Sequence, residues 1–87
     1  MYIVAYDISD KKRLRIVAKI CERYLVRVQK SVFEGNLSKS QLFVLKKELK
    51  QEINNEEDSI FIYFIRRTSL NKKIQLGKRV EDAFVII

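Results

Sequence analysis

Apolar positions along this chain follow two periods, one typical of strands and one typical of helices. Strand-forming runs occupy residues 2–7, 26–34 and 59–66, with a shorter run near 73–76 and an apolar tail at 83–87. Helical spacing of leucine and other apolar residues separates the first run from the second and the second from the third. The pattern therefore predicts two helices among four strands, with strand character again in the tail.

Local polar residues mark where the two helices begin and end. Ser9 or Asp10 can accept a hydrogen bond from the exposed amides of the first helix, which continues to about Leu25. Ser38, with a glutamine three residues later, matches a capping box and opens the second helix. Asn54 and the asparagine after it end that helix.

We interpret these elements as an α+β, ferredoxin-like βαββαβ domain over residues 1–87, with an additional C-terminal strand. Both helices of such a fold cover one face of an antiparallel sheet, so each strand should alternate between apolar and polar residues. Here both faces of the first strand are apolar: one carries Tyr2, Val4 and Tyr6, and the other carries Ile3 and Ala5. Because two helices cannot cover both faces, we expect a homodimer packed through its sheets.

The net charge of +7 arises from 18 basic and 11 acidic residues. Eight of the basic residues lie within residues 10–30, which contain only two acids. A charged helix is usually a solvated surface. An imbalance this large and this local favours a polyanionic partner, with RNA or DNA as the first candidate.

Several kinds of site are excluded by composition. The chain has no histidine, one cysteine and two glycines. These counts exclude a histidine-containing catalytic triad, a zinc–histidine site and the glycine-rich phosphate loops. If the protein is an enzyme acting near neutral pH, a carboxylate-bound metal is the best remaining source of an activated water. We find neither a signal peptide nor an apolar run long enough to span a membrane, so we expect a cytoplasmic protein without a membrane partner.

Asp7 stands at the end of the first strand, just before the basic helix. Its commoner role would be structural, as a cap or an ion-pair partner. In a sheet-packed dimer, two copies of Asp7 could face one another and either raise their apparent pKa or recruit a cation. Mg²⁺ prefers oxygen ligands and is often held by one or two carboxylates together with substrate phosphates. The residues alone leave both roles open.

The segments YDIS, at residues 6–9, and RVQKSVFEG, at residues 27–35, resemble the family of CRISPR-associated protein two. The resemblance extends over nearly the whole chain in length and in the order of elements. It implies a ferredoxin-like homodimer whose C-terminal strand adds to the partner's sheet. It also implies a metal-dependent phosphodiesterase site at the dimer interface, which cuts single-stranded RNA in some members and double-stranded DNA in others.

The family's functional residues carry over by position. Its metal-binding aspartate, which is also the catalytic residue, falls on Asp7, and the arginine of its second strand falls on Arg27. The first-helix arginines correspond to Arg13 and Arg15, although the register there can be argued by one residue. By this resemblance, Arg13, Arg15 and Arg27 bind nucleic acid. Supporting positions are Tyr6, Ser31 and Phe33, although the two aromatics are also typical of a core or an interface.

The resemblance predicts a metal-dependent endonuclease of CRISPR spacer acquisition and antiviral defence, using Mg²⁺ or alternatively Mn²⁺. Its expected partners are a second copy, RNA or DNA, and the CRISPR integrase. One alternative is a non-catalytic architectural dimer that holds DNA between integrase subunits. Another is a toxin-type ribonuclease of the same fold. An RNA-recognition domain is less compatible, because the third strand lacks the glycine of that module.

Overall fold

A four-stranded antiparallel sheet with two helices forms the architecture of the computed structural model, which describes residues 1–66 and 73–78. The elements are β1 (Tyr2–Asp7), α1 (Lys11–Glu22), β2 (Val26–Gln29), β3 (Val32–Gly35), α2 (Lys39–Glu52) and β4 (Ser59–Phe64). The strands lie in the order β2-β3-β1-β4. This arrangement confirms the predicted α+β fold and its βαββαβ order.

The boundaries of β1 and the starts of both helices agree with the sequence patterns. Asp10 caps α1 by accepting from the amide of Arg13, and Ser38 forms the predicted capping box at the start of α2. The first helix ends at Glu22, three residues before its predicted end. The strand predicted over residues 59–66 ends at Phe64, but reciprocal backbone hydrogen bonds between Met1 and Ile65 prolong its pairing with β1.

The single strand predicted over residues 26–34 is wrong, because the chain turns within it at Lys30 and Ser31. The two halves, β2 and β3, pair as an antiparallel hairpin in which Arg27 lies opposite Phe33, with an irregularity in the register after Arg27. The turn contains none of the glycine, asparagine or aspartate residues that usually mark a tight hairpin. This hairpin supplies the two consecutive strands that the βαββαβ order requires.

The strand predicted near residues 73–76 is also wrong, since residues 73–78 have no strand conformation. A strand forms only where another strand edge accepts its backbone hydrogen bonds. Within the described part of the chain, no such backbone bond joins this segment to the sheet. It is held instead by an ion pair between Lys73 and Glu34 of β3. The predicted terminal strand at 83–87 lies outside the described residues.

One face of the sheet, which we call the covered face, packs against both helices. Its central side chains, Val4 of β1 and Phe33 of β3, are completely buried. The helices contribute Val17, Cys21, Leu45 and Leu49 to the same core. Full burial of one such side chain contributes about 1.5–3 kcal/mol, so this face supplies the main stabilisation of the domain.

The opposite face, which we call the open face, is formed by Ile3 and Ala5 of β1 together with Phe61 and Tyr63 of β4. The rings of Phe61 and Tyr63 stack with centroids 6.1 Å apart. They remain 59% and 53% exposed, respectively. Within residues 1–66 and 73–78, no helix packs on this face. The sequence expectation of two apolar sheet faces is thus met in the structure.

Candidate metal and phosphate site

Asp7 is the last residue of β1, and its side chain is exposed. It lies opposite Ser59, the first residue of β4, in the sheet register. Because side chains alternate along a strand, Asp7 belongs to the same face as Ile3 and Ala5. The carboxylate therefore stands at one end of the open face, next to the start of α1.

A metal ion held by Asp7 would receive one carboxylate ligand from the Asp7 of each copy of the chain. The described residues contain no group of three or more aspartate, glutamate or cysteine side chains that could hold a metal ion. The exposed carboxylate of Asp7 has the oxygen chemistry that Mg²⁺ and Mn²⁺ accept, and Mg²⁺ commonly keeps several waters. The donor set therefore fits half of a two-carboxylate site, and a second copy of Asp7 would supply the other half.

Tyr6, Phe33 and Arg27 form a stack on the covered face, on the other side of the sheet from Asp7. The ring centroids of Tyr6 and Phe33 are 6.1 Å apart, and the Cζ atom of Arg27 lies 5.3 Å from the Phe33 centroid. The Tyr6 hydroxyl donates to the backbone oxygen of Lys30 across 3.4 Å. Burial raises the pKa of Tyr6, and the nearby Arg27 partly opposes that rise. The structure thus brings these three predicted residues together but separates them from Asp7.

Arg27 has an unusual environment for a phosphate-binding arginine. Its Nε atom is buried and has no hydrogen-bond partner in the part of the chain that the structure describes. Its guanidinium stacks on Phe33, an arrangement that stabilises a cation without neutralising it. Nucleic-acid binding by Arg27 stays a prediction.

Arg13 lies in a hydrogen-bonded network that we call the Asp58 corner, formed by Ser9, Arg13, Asn54 and Asp58. The side chain of Asp58 is fully buried and accepts from the Nε of Arg13 at 2.8 Å. It also accepts from the amide of Ser9 at 3.0 Å and from the amide of Asn54 at 2.8 Å. The Arg13 hydrogen bond, reinforced by the two amides, holds the pKa of Asp58 well below its usual range. The Asp58 carboxylate raises the pKa of Arg13 in return.

The Asp58 corner joins the two chain segments that flank Asp7. Ser9 follows Asp7 by two residues, and Asp58 precedes Ser59, the register partner of Asp7. The corner therefore fixes the chain just after Asp7 and the start of β4, the strand that lies beside Asp7. Sequence reasoning missed Asp58, although an acid directly before an apolar strand in a chain of charge +7 was an available signal.

Arg15 differs from Arg13 in having an exposed side chain and no ion pair among the described residues. It lies on α1 beside the exposed lysines Lys11, Lys12 and Lys19. Ser31 is half-buried in the β2–β3 turn, where its carbonyl accepts from the amide of Tyr6 at 3.1 Å. The three predicted arginines thus occupy three environments: Arg15 lies on an exposed basic helix, Arg13 in a closed ion-pair network and Arg27 in an aromatic stack.

Comparisons with known proteins reveal clear relatives. Residues 1–73 match the family model described as CRISPR associated protein Cas2. The chain is 46% identical over 63 residues to "CRISPR-associated endoribonuclease Cas2 3" of Synechocystis sp., covering 72% of this chain and 68% of that protein. It is 40% identical over 78 residues to "CRISPR-associated endoribonuclease Cas2 2" of Moorella thermoacetica, covering 83% of this chain and 86% of that protein.

A solved structure has the same fold. The crystal structure of Streptococcus pyogenes Cas2 at pH 6.5 superposes with a TM-score of 0.79 and 36% sequence identity. The superposition covers 87% of this chain and 98% of that one. No helix within the described residues is long and apolar enough to cross a membrane.

Proposed function

This chain belongs to the CRISPR-associated Cas2 family, and on that premise we propose that it is a metal-dependent endoribonuclease of CRISPR antiviral defence. The names of its relatives support RNA as the first substrate to test. The observation that carries the proposal is the position of Asp7, an exposed carboxylate at the end of β1 on the open face. Because the nucleotide backbone is anionic, the exposed cations of α1, a helix that begins four residues after Asp7, suit such a substrate.

Two copies of Asp7, one from each protomer of a homodimer, would hold Mg²⁺ or Mn²⁺. When bound, the cation would offset charge on the scissile phosphate and activate water for its hydrolysis. Arg15 would bind an adjacent phosphate through its exposed guanidinium. The Asp58 corner would keep the backbone around Asp7 in place, which gives Arg13 a positioning role in addition to any contact with the substrate.

The open face supports the dimer that this proposal needs. Its exposed aromatics form an apolar surface, and burying that surface against a second copy would bring the two Asp7 residues to one interface. A cytoplasmic dimer with basic helices would also suit a role in spacer acquisition, with the CRISPR integrase as its protein partner.

A non-catalytic architectural dimer is the second candidate. The exposed cations of α1 favour it, because they can bind backbone phosphates whether or not Asp7 holds a metal ion. Such a dimer would bind nucleic acid through the same exposed cations without cleaving it.

The test compares Asp7→Asn with Asp10→Asn on labelled single-stranded RNA and duplex DNA, in the presence of Mg²⁺ or EDTA. Both variants lose one negative charge at the same end of the molecule, and asparagine retains the helix-capping role of Asp10. We expect Asp7→Asn to lower the cleavage rate by about 100-fold or more and Asp10→Asn to leave it nearly unchanged.

The outcomes separate the two candidates. Cleavage that persists in EDTA or in Asp7→Asn contradicts the assigned role of Asp7. Tight binding with no cleavage by the wild-type protein supports the architectural dimer instead.

A further inference from the structure

One face of α2 combines an exposed aromatic ring with a row of lysines, and we call this face the α2 stripe. Its members are Lys39, Phe43, Lys46, Lys47 and Lys50, all of them exposed. Phe43 is 68% exposed, the largest apolar exposure on either helix. At about 100° per residue, the five positions fall within an arc of about 100°, so their side chains leave the helix in one direction.

The acids of α2 do not neutralise this face. Glu48 lies on the opposite side of the helix, where it accepts from the Tyr24 hydroxyl at 2.8 Å and pairs with Arg23. Leu45 and Leu49 direct a third side of α2 into the core. Among the residues that the structure describes, none of the four lysines belongs to an ion pair.

The stripe is unfavourable for an isolated helix. Lys50 follows Lys46 by four residues and Lys47 by three, and like charges at these spacings repel. Lys39 occupies the first turn, which contains no acid although the positive end of the helix dipole favours one. A polyanion bound along the face would remove both penalties.

We propose that the α2 stripe binds a single strand of nucleic acid, with its lysines against the backbone phosphates and Phe43 stacked on an unpaired base. Lysine and phosphate attract strongly, whereas lysine is depleted at protein–protein interfaces. At about 1.5 Å per residue, the lysines extend along about 16 Å of the helix, the length of two or three nucleotides. A ring between lysines reaches a base only where the bases are unstacked, which favours a single strand over a duplex.

The α2 stripe goes beyond the proposed nuclease function, because it needs neither Asp7 nor a metal ion. It lies on a different element from the exposed cations of α1. Binding along α2 would give the protein a second contact with the strand, separate from the cleavage site.

The experiment measures binding of the full chain, in EDTA, to a fluorescent oligouridylate of about 12 nucleotides and to a duplex of equal length. Fluorescence anisotropy gives Kd over a series of salt concentrations. We expect Lys46→Gln with Lys50→Gln to weaken single-strand binding about tenfold. The slope of log Kd against log salt should fall by about 1.4, since about 0.7 is lost per phosphate contact.

Adjacent residues on α2 provide matched controls. Lys50→Gln and Gln51→Glu change the net charge equally, but Gln51 lies outside the stripe. Phe43→Ala should weaken single-strand binding about fivefold or more and leave duplex binding unchanged, because stacking requires an open base. Val44→Ala truncates the neighbouring exposed side chain and should change Kd by less than about twofold.

Three results would overturn the proposal. Equal effects of Lys50→Gln and Gln51→Glu would mean that net charge alone governs binding. An unchanged salt slope in the double variant would mean that the lysines do not contact phosphate. If the stripe substitutions weakened the binding of oligoglutamate but not the binding of RNA, the ligand would be an acidic protein. Far-ultraviolet circular dichroism confirms folding of each variant, and the Asp7 cleavage assay, run separately, tests the nuclease function.

Discussion

The two faces of the sheet have similar apolar side chains but opposite environments. On the covered face, Val4 and Phe33 are completely buried beneath the helices. On the open face, Phe61 and Tyr63 keep more than half of their surface exposed. The difference comes from what packs on each face and not from the residues themselves. In the proposed homodimer, the open face is the surface that a second copy would bury, and Asp7 lies at its end.

Truncating the covered face should have the largest effect. We expect Phe33→Ala to lower the free energy of unfolding by about 3–5 kcal/mol, because it leaves a cavity that the packed core cannot close. Phe61→Ala removes an aromatic ring of the same size from the open face and should cost the monomer far less. Guanidinium titrations of the two variants at two protein concentrations would measure these losses of unfolding free energy. If Phe33→Ala and Phe61→Ala lost the same free energy at both concentrations, the distinction between the two faces would be contradicted.

Charging the open face should dissociate the dimer without unfolding the chain. In Tyr63→Lys, a second copy would have to bury an unpaired ammonium group, so the dimer dissociation constant should rise by about 100-fold or more. Phe43→Lys places the same group at a comparably exposed aromatic on α2 and serves as the control. Sedimentation velocity over a concentration series gives the association state. A Tyr63→Lys variant that dimerises as tightly as Phe43→Lys would exclude this face as the interface.

The Asp58 corner should make stability depend on acid in a defined direction. The folded-state pKa of Asp58 lies below the unfolded value of about 3.9, so its charged form stabilises the fold at every pH above that value. The contribution is lost as the pH falls from there towards the folded pKa. Wild type should therefore exceed Asp58→Asn in stability at pH 7, and the gap should narrow below about pH 4. A gap that stays constant from pH 7 to about pH 2 would show that the ion pair with Arg13 is not its cause.

The smallest expected effect concerns the reactivity of the Cys21 thiol, which lies on the helix side of the covered face. Burial raises the pKa of this thiol to about 12, so almost none of it is thiolate at neutral pH. Native protein should react with a thiol reagent only as fast as it unfolds, which absorbance stopped-flow can follow. Ser40→Cys, exposed on α2, provides a fast-reacting comparison. Equal rates at the two positions would mean that the core opens locally.

Features with local signals were predictable from the sequence. The strand at residues 2–7, the Asp10 cap and the Ser38 capping box each depend on residues within a few positions of one another. The β2–β3 turn was missed because Lys30 and Ser31 carry no typical turn signal. The ion pair of Arg13 was missed because Asp58 is 45 residues away in the chain. The family resemblance assigned Arg13 and Arg15 the same role, whereas the fold gives them different surroundings.

The hydrogen bonds of Asp58 also bear on the order of events in folding. Two of them, from Arg13 and from the amide of Ser9, connect positions separated by 45 and 49 residues, with most of α1, the hairpin and α2 in between. Closing so long a loop is entropically costly until the intervening elements have assembled, so these bonds should form after the rate-limiting barrier. Interactions that are absent from the transition state act mainly on the unfolding rate. Asp58→Asn, which breaks the corner, should therefore raise the unfolding rate and leave the refolding rate nearly unchanged. Asp58 would thus set the lifetime of the folded state.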